Sequence, residues 1–374
     1  MDSVPETLTH PATVSAPSYR DAFAAGAGYL AACTQGLPTR ATVEATRADL
    51  ERWARGEATP ADYDVAISRA RAAFARLAGV AVDDIAIGSQ ASVLASLIAA
   101  AAPDGAVVLC PEGDFASVVA PFQAQAHRGV RVREVPLAGL ADAIDDDTWL
   151  VAFSLVQSAT GEHADADAIL AACARTGTLS LADLTQALGW LPVDASRFDV
   201  TITHAYKWLC APRGSAFLTV RPALLDALTP VHAGWYAGED PWASCYGPLL
   251  APAASARRFD VSPAWPVWPG TAAALEFFAS LDPAAVHAHA TGLADRLSEA
   301  LDLTDAVGDR VRGRAVLTWP DPEGADLAAL TAAGLRASGR AGRARVAFHL
   351  WNTDDDVDRI LAALVPAARH SSRM

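Results

Sequence analysis

Through the middle of the chain, short apolar runs rich in β-branched residues alternate with Ala-rich stretches of helical pattern. The apolar runs predict strands over Ala106–Cys110, Val130–Val135, Trp149–Phe153, Thr178–Ala182, Val200–Thr203 and Ser215–Val220. Strands alternating with helices argue for an α/β fold with a mostly parallel sheet flanked by helices. In such sheets ligand groups collect at the carboxyl ends of the strands. Ile85–Pro103 is uncharged for 19 residues, near the ~20 that span a bilayer. Its Gly88, Ser89, Gln90, Ser92 and Ser96 make it read instead as a strand end, a polar turn and a core helix.

The texture changes after residue 230. Trp235, Trp242, Trp265 and Trp268 crowd together with Pro and Gly up to Pro269, which suggests an irregular, pocket-lining stretch. A long helical pattern begins at Thr271, followed by apolar runs near Arg314–Trp319 and Arg345–Trp351. The expected division is an N-terminal segment 1–20, mobile or packed on the small domain, a large domain 21–270, and a small C-terminal α/β domain 271–374. No internal repeat is visible.

Composition narrows the class. Hydrophobic residues are 52% of 374, enough for a sizeable core. The charge balance, 29 minus 43, is −14, a poor match for nucleic acid or an anionic membrane, so neither is expected as a partner. Cys33, Cys110, Cys173, Cys210 and Cys245 are scattered without ligand spacing. No disulfide framework and no metal is expected. With Asp2 and Glu6 and no apolar leader near the start, the expected compartment is a reducing cytoplasm.

One count stands apart: of the 29 basic residues only Lys207 is a lysine. An arginine can replace most surface lysines. It cannot replace an amine that must lose its proton and attack a carbonyl. Lys207 follows a strand and a His-Ala-Tyr run, and Asp183 ends the apolar run 24 residues earlier. An amine and a carboxylate on neighbouring strand ends suit a pyridoxal phosphate site. The amine forms the Schiff base, and the carboxylate pairs with the pyridinium nitrogen.

With these residues the chain resembles the fold-type-I pyridoxal-phosphate enzymes of the class V aminotransferase family, which includes cysteine desulfurases, kynureninase and C–S lyases. The resemblance runs over Gly28–Pro38, Gly88-Ser-Gln-Ala91, Glu112-Gly-Asp-Phe115, Asp183-Leu-Thr-Gln186, the Tyr206-Lys207 pair and Arg345–Thr353. It implies that Lys207 carries the cofactor and Asp183 faces its ring nitrogen. Gln186 and Ser158 lie near the ring hydroxyl, where many members have Asn in place of Ser158. Phe115 stacks on the ring, and Gln90, Ala91, His204 and Tyr206 surround the phosphate. Ser262, in Arg257–Pro263, reaches the phosphate of a second subunit in a homodimer. Arg345 lies near the substrate carboxylate.

Taken singly, each residue has a plainer reading. Asp183, Ser89 and Gln90 could cap helices, Phe115 and His204 could be core, and Arg345 could be a salt-bridge partner. The Gly334–Arg343 segment, where desulfurases keep a catalytic cysteine, has none. A desulfurase is therefore not expected, and no cysteine is expected to carry the chemistry. Arg336, Arg340 and Arg343 there, with Arg345, favour an anionic amino-acid-like substrate. The expected activity is a lyase that cleaves a β-substituent at a C–S or C–C bond. A class V aminotransferase is the alternative, and a cofactor-free α/β binding protein the alternative of another class.

Overall fold

The computed structural model describes residues 19–247, 251–305 and 308–371, and side chains through residue 364. All but two residues of the expected 1–20 segment lie outside them. The elements in chain order are α1 (Arg40–Ala54), α2 (Pro60–Ala78), β1 (Ile85–Gly88), α3 (Ala91–Ala100), β2 (Val107–Pro111), α4 (Ala116–Gln123), β3 (Arg131–Val135), β4 (Thr148–Ser154) and α5 (Ala166–Thr176). Then come β5 (Leu179–Asp183), β6 (Val200–His204), β7 (Ala216–Val220), α6 (Trp268–Ala279), α7 (Pro283–Ala300), β8 (Val316–Pro320), α8 (Ala325–Ala332), β9 (Ser338–Arg340), β10 (Arg343–Ala347) and α9 (Asp354–Ser371).

Seven strands form one sheet in the order β1-β7-β6-β5-β4-β2-β3. Only β7 runs against the other strands, so its pairs with β1 and β6 are antiparallel. All six strands expected between 106 and 220 are present within a residue or two of their expected ends. The inner runs are buried because both faces are covered, whereas the edge strand β3, RVREV, is partly exposed. Alternate residues of each strand enter opposite cores: Ile85, Ile87, Val151, Phe153 and Phe217 pack with α2, α5 and α6. Ala86, Leu150, Ala152, Ala216 and Leu218 pack with α3 and α4. The uncharged Ile85–Pro103 stretch resolves as β1, a two-residue turn and α3. A Cβ on Gly88 would lie 2.7 Å from the Leu94 side chain, so a larger residue there would force Leu94 to shift. Among the described residues no helix is long and apolar enough to cross a membrane.

A smaller antiparallel sheet, β8-β10-β9, has its own core with α7, α8 and α9, built on Leu297, Leu317, Leu330, Val346 and Ile360. Strand β10 ends at Ala347, inside the Arg345–Trp351 stretch. There the chain turns, with His349 N donating to Asn352 Oδ1 (2.9 Å) and Leu350 N to His349 Nδ1 (2.7 Å). The 270/271 boundary expected from the sequence falls inside α6, which packs on α1 and α2.

Two connections set the geometry near the strand ends. Residues 28–36 leave the small sheet, where Leu30 N bonds Arg336 O (2.8 Å) and Ala347 N bonds Leu30 O (2.8 Å), and end at Gly36, whose N–H bonds Tyr206 O (3.0 Å). The second is a buried ion pair, Arg71 Nη2 to Asp260 Oδ2 at 2.7 Å, with Asp260 Oδ1 accepting from Ile87 N at 2.7 Å. It ties residues 257–263 to β1. Removing one partner of such a pair costs about 3–5 kcal/mol, because the other charge is left buried.

Candidate active site

The carboxyl ends of β4, β5 and β6 lie side by side: Ser154 is in register with Asp183, and Asp183 with Ile202. Past β6 the chain makes a tight loop through Lys207. Gly36 lies so close that a Cβ there would be 2.0 Å from Lys207 O. Cys210, in the left-handed region at φ 54°, bonds back from its N–H to Lys207 O (3.1 Å). Lys207 is 5% exposed. Its Nζ stands 5.2 Å from the Phe115 ring centroid and 5.7 Å from that of Tyr206, and no hydrogen bond or ion pair among the described residues holds it. Burial lowers its pKa, opposed first by the charge of Asp183. Asp183 is 4% exposed and accepts from Thr185 N (2.8 Å). Burial raises its pKa, against the hydrogen bond from Thr185 and the charge of Lys207. Both groups are thus biased toward their neutral forms, as buried charges are without a close partner.

Around this pair the other expected residues are distributed unevenly. Phe115 precedes α4 and is 42% exposed, its ring open beside Lys207. His204 ends β6, and its buried Nε2 has no partner. Its ring meets Tyr206 edge-on at 4.4 Å, and burial lowers its pKa to about 4. Gln90 precedes Ala91, the first residue of α3, and makes no capping hydrogen bond with its side chain. Gln186 is fully engaged: its Nε2 donates to Cys33 O (2.9 Å) and Ser158 Oγ (3.2 Å), and its Oε1 accepts from Trp208 Nε1 (2.8 Å). Ser262 is exposed next to Val261, whose N–H bonds Ile87 O (3.0 Å) beside the α3 turn.

Arg345 faces the pair from β10. It is 1% exposed. Its Nε donates to Ser338 Oγ (3.1 Å), its Nη2 to Thr34 Oγ1 (3.0 Å) and its Nη1 to Ser158 O. Every one of these partners is neutral. No carboxylate among the described residues pairs with this buried cation, an arrangement that is costly without an anion.

Several residues of the site escaped the sequence. Asp114 accepts from Phe115 N (2.6 Å), Ser154 N (2.7 Å) and Ser154 Oγ (2.5 Å), and so ties the backbone before α4 to the end of β4. Cys33 and Thr34 line the site through the 28–36 connection, in a segment that already carried the resemblance. His349 Nε2 lies 2.9 Å from Trp208 O, and the two rings stack at 5.3 Å. Because His349 Nδ1 accepts from Leu350 N, its Nε2 carries the hydrogen. The Trp-rich stretch does not line the site as expected. Trp265 stacks on Tyr63 (5.6 Å), Trp242 Nε1 bonds Asp64 (3.1 Å) and Trp268 packs on Phe217, so these rings cover α2 and the core instead of walling Lys207. Trp208, next to Lys207, and Trp351 both stack on His349.

The aminotransferase class-V family model matches residues 60–313. The chain belongs to that family. A kynureninase from Deinococcus radiodurans is 31% identical over 264 residues, 67% of this chain and 64% of the relative, so the match spans less than two thirds of that protein. An uncharacterized aminotransferase, YcbU, from Bacillus subtilis is 29% identical over 318 residues, 79% of this chain and 83% of the relative. A solved C-DES mutant, with glycine covalently linked to its PLP cofactor, superposes with a TM-score of 0.82 at 21% identity, covering 92% of this chain and 98% of that one. The likeness shows the fold, which is fold type I. The cofactor of this family member is pyridoxal 5'-phosphate, which sets aside the cofactor-free binding protein. The residues present fit that group: an unbonded buried amine, a buried carboxylate on the neighbouring strand end, an open aromatic ring, an orphaned His204 Nε2, and the free N-terminus of α3 for an anion.

Proposed function

We propose that this family member is a lyase that acts on an α-amino acid and releases its β-substituent by breaking a C–S or C–C bond. One observation carries the reading. A buried amine (Lys207), a buried carboxylate (Asp183) and a buried guanidinium without a carboxylate (Arg345) converge on one space. The lyase outcome is supported by the Tyr206-Lys207 pair and by the kynureninase likeness.

Bound here, pyridoxal 5'-phosphate supplies an electron sink for the bonds at the substrate Cα. Lys207 would hold it, with Asp183 at the ring nitrogen, Phe115 over one face, and Gln186 and Ser158 beside the ring hydroxyl. Gln90, Ala91, His204 and Tyr206 would take the phosphate. Burial lowers the pKa of Lys207, the direction that favours the unprotonated amine a base for the Cα proton needs. Arg345 forks onto the α-carboxylate, and Ser158, Thr34 and Ser338 hold the guanidinium at one angle. That orientation selects which Cα bond is weakened. Asp114 and Ser154 hold the backbone that carries the ring cover, and Trp208 with His349 fixes the loop that carries the amine.

The aminotransferase outcome needs the same residues and is favoured by the Bacillus relative. Purified protein incubated with amino acids and S-conjugates, without an added keto acid, separates the two. A lyase releases a keto product and the β-substituent, read by mass spectrometry, whereas a transaminase stops after one turnover. Release of sulfur to a thiol acceptor, abolished by Cys33→Ser, would return the reading to a desulfurase. We also propose a homodimer in the cytoplasm, the Ser262 segment of each copy reaching the site of the other. A monomer at full activity in sedimentation contradicts that.

A further inference from the structure

Strands β9 and β10 pair antiparallel with Arg345 opposite Ser338 and Arg343 opposite Arg340. Residues directly opposite share a face, and so do residues two apart along a strand. Arg345, Ser338, Arg343 and Arg340 therefore stand on one face of the small sheet. That face is turned to the site, because Arg345 reaches Ser158 and Thr34 across it. The three arginines differ in what holds them. Arg345 is locked by Ser338, Thr34 and Ser158. Arg343 is tied back to Thr318, through Nε to Oγ1 (3.0 Å) and Nη2 to O (3.1 Å). Arg340 is exposed, and its Nη1 donates to the carbonyl of its neighbour Gly339 (2.8 Å). No carboxylate among the described residues pairs with it. Its charge is nonetheless felt by Lys207, Tyr206 and Arg345, where in each case it lowers the pKa. In a chain of net charge −14, a guanidinium left without an acid beside two other cations is a conspicuous placement.

From this geometry we infer that the substrate carries a second anionic group beyond its α-carboxylate and that Arg340 binds it. The inference rests on the proposed role of Arg345 and adds a substrate class to it: acidic amino acids, or amino acids whose β-substituent ends in a carboxylate, sulfonate or phosphate. Arg345 and Arg340 are diagonal neighbours across the strand pair, roughly 7–8 Å apart at Cα. Two guanidinium forks at that spacing, one rigid and one flexible, suit two anions joined by a few carbons. Arg343 directs the Nε–Nη2 edge of its guanidinium at Thr318.

The test needs no turnover. The holoenzyme is titrated calorimetrically at low salt with succinate and glutarate, and with their monoamides succinamate and glutaramate, which keep the shape and lose one charge. A charge-assisted bidentate contact predicts one diacid binding roughly tenfold or more tighter than its monoamide. Arg340→Gln should erase that preference by weakening the diacid alone, with the cofactor absorbance unchanged. Equal binding of acid and amide in the native protein, or a preference that survives Arg340→Gln, overturns the inference. In parallel, L-aspartate, L-asparagine, L-glutamate and L-glutamine are added while the cofactor absorbance is followed. If no amino acid moves it, the reading of the site as an amino-acid enzyme has failed, and the diacid comparison still decides on Arg340.

Discussion

The two walls of the site are built on opposite electrostatic plans. The strand-end wall, from β4 to the Lys207 loop, contains both signs: Lys207 faces Asp183, and Asp114 lies close enough to Asp183 to raise its pKa. Its carboxylates are satisfied by nearby N–H and hydroxyl groups, such as Thr185 for Asp183 and Ser154 for Asp114. The small-sheet wall contains one sign only. Arg340, Arg343 and Arg345 share a face without an acid among the described residues. A wall that balances itself is ready to hold a cofactor in the resting protein. A wall left positive is completed only when an anion arrives, so substrate binding should stabilise the fold by mass action.

The sharpest way to break the comparison is to remove the amine. Lys207→Ala should cost roughly 1,000-fold or more in turnover, as deletion of a group that acts as part of a unit does. Borohydride should then fix no cofactor on the peptide that spans residue 207. A variant that keeps its activity would remove the chemical basis of the strand-end wall. Asp183→Ala should retain the fold and lose about 100–1,000-fold in turnover, the usual loss for one preorganised electrostatic partner. Circular dichroism and kcat on the same sample check this, and full activity refutes the role.

On the other wall, Arg345→Lys should lower kcat/KM by roughly 10–100-fold, since an ammonium cannot form the two parallel bonds of a guanidinium. The resting absorbance of the cofactor should not move. If Tm falls while kinetics stay near normal, Arg345 bridges the sheets and does not bind substrate.

The smallest effect concerns the junction between the walls. Burial holds the pKa of His349 at about 3, and those of His204 and His163 at about 4, against an ordinary 6.5. With folded values below unfolded ones, the unfolded chain takes up protons first as pH falls. Stability should therefore be lost below pH 6.5, by up to about 1.4 kcal/mol per pH unit for each such histidine. The loss from His204 and His163 levels off near pH 4, that from His349 nearer 3. His349→Gln should flatten the slope between pH 6.5 and 5 by about one proton, measured from denaturant midpoints. An unchanged slope would show that His349 is already charged in the folded protein.

The strand-end wall was legible because its information is local. Asp183 closes an apolar run that must be a buried strand, and a strand end in a parallel sheet points at the ligand site. The lone lysine then stood out by its chemistry against a background of arginine. Six strands of the seven-stranded sheet followed from the same alternation, and β1 from the strand end read at Ile85. Trp265 and Trp268 misled because an aromatic cluster is equally suited to core packing and to a pocket, and only their partners, Tyr63 and Phe217, distinguish the two.

The amino-acid sequence by itself determined the fold class, the lysine–aspartate pair and the run of arginines from Arg336 to Arg345. Tertiary structure alone decided that Arg345 is fully buried with only neutral partners, that Arg340 shares its face, and that Cys33, Thr34 and Asp114 belong to the site. Residues 34 and 345 are 311 positions apart. Their contact depends on how a segment crosses from one sheet to the other. Periodicity within a strand or helix carries no information about such a crossing, because it reports which face is apolar and not what that face meets.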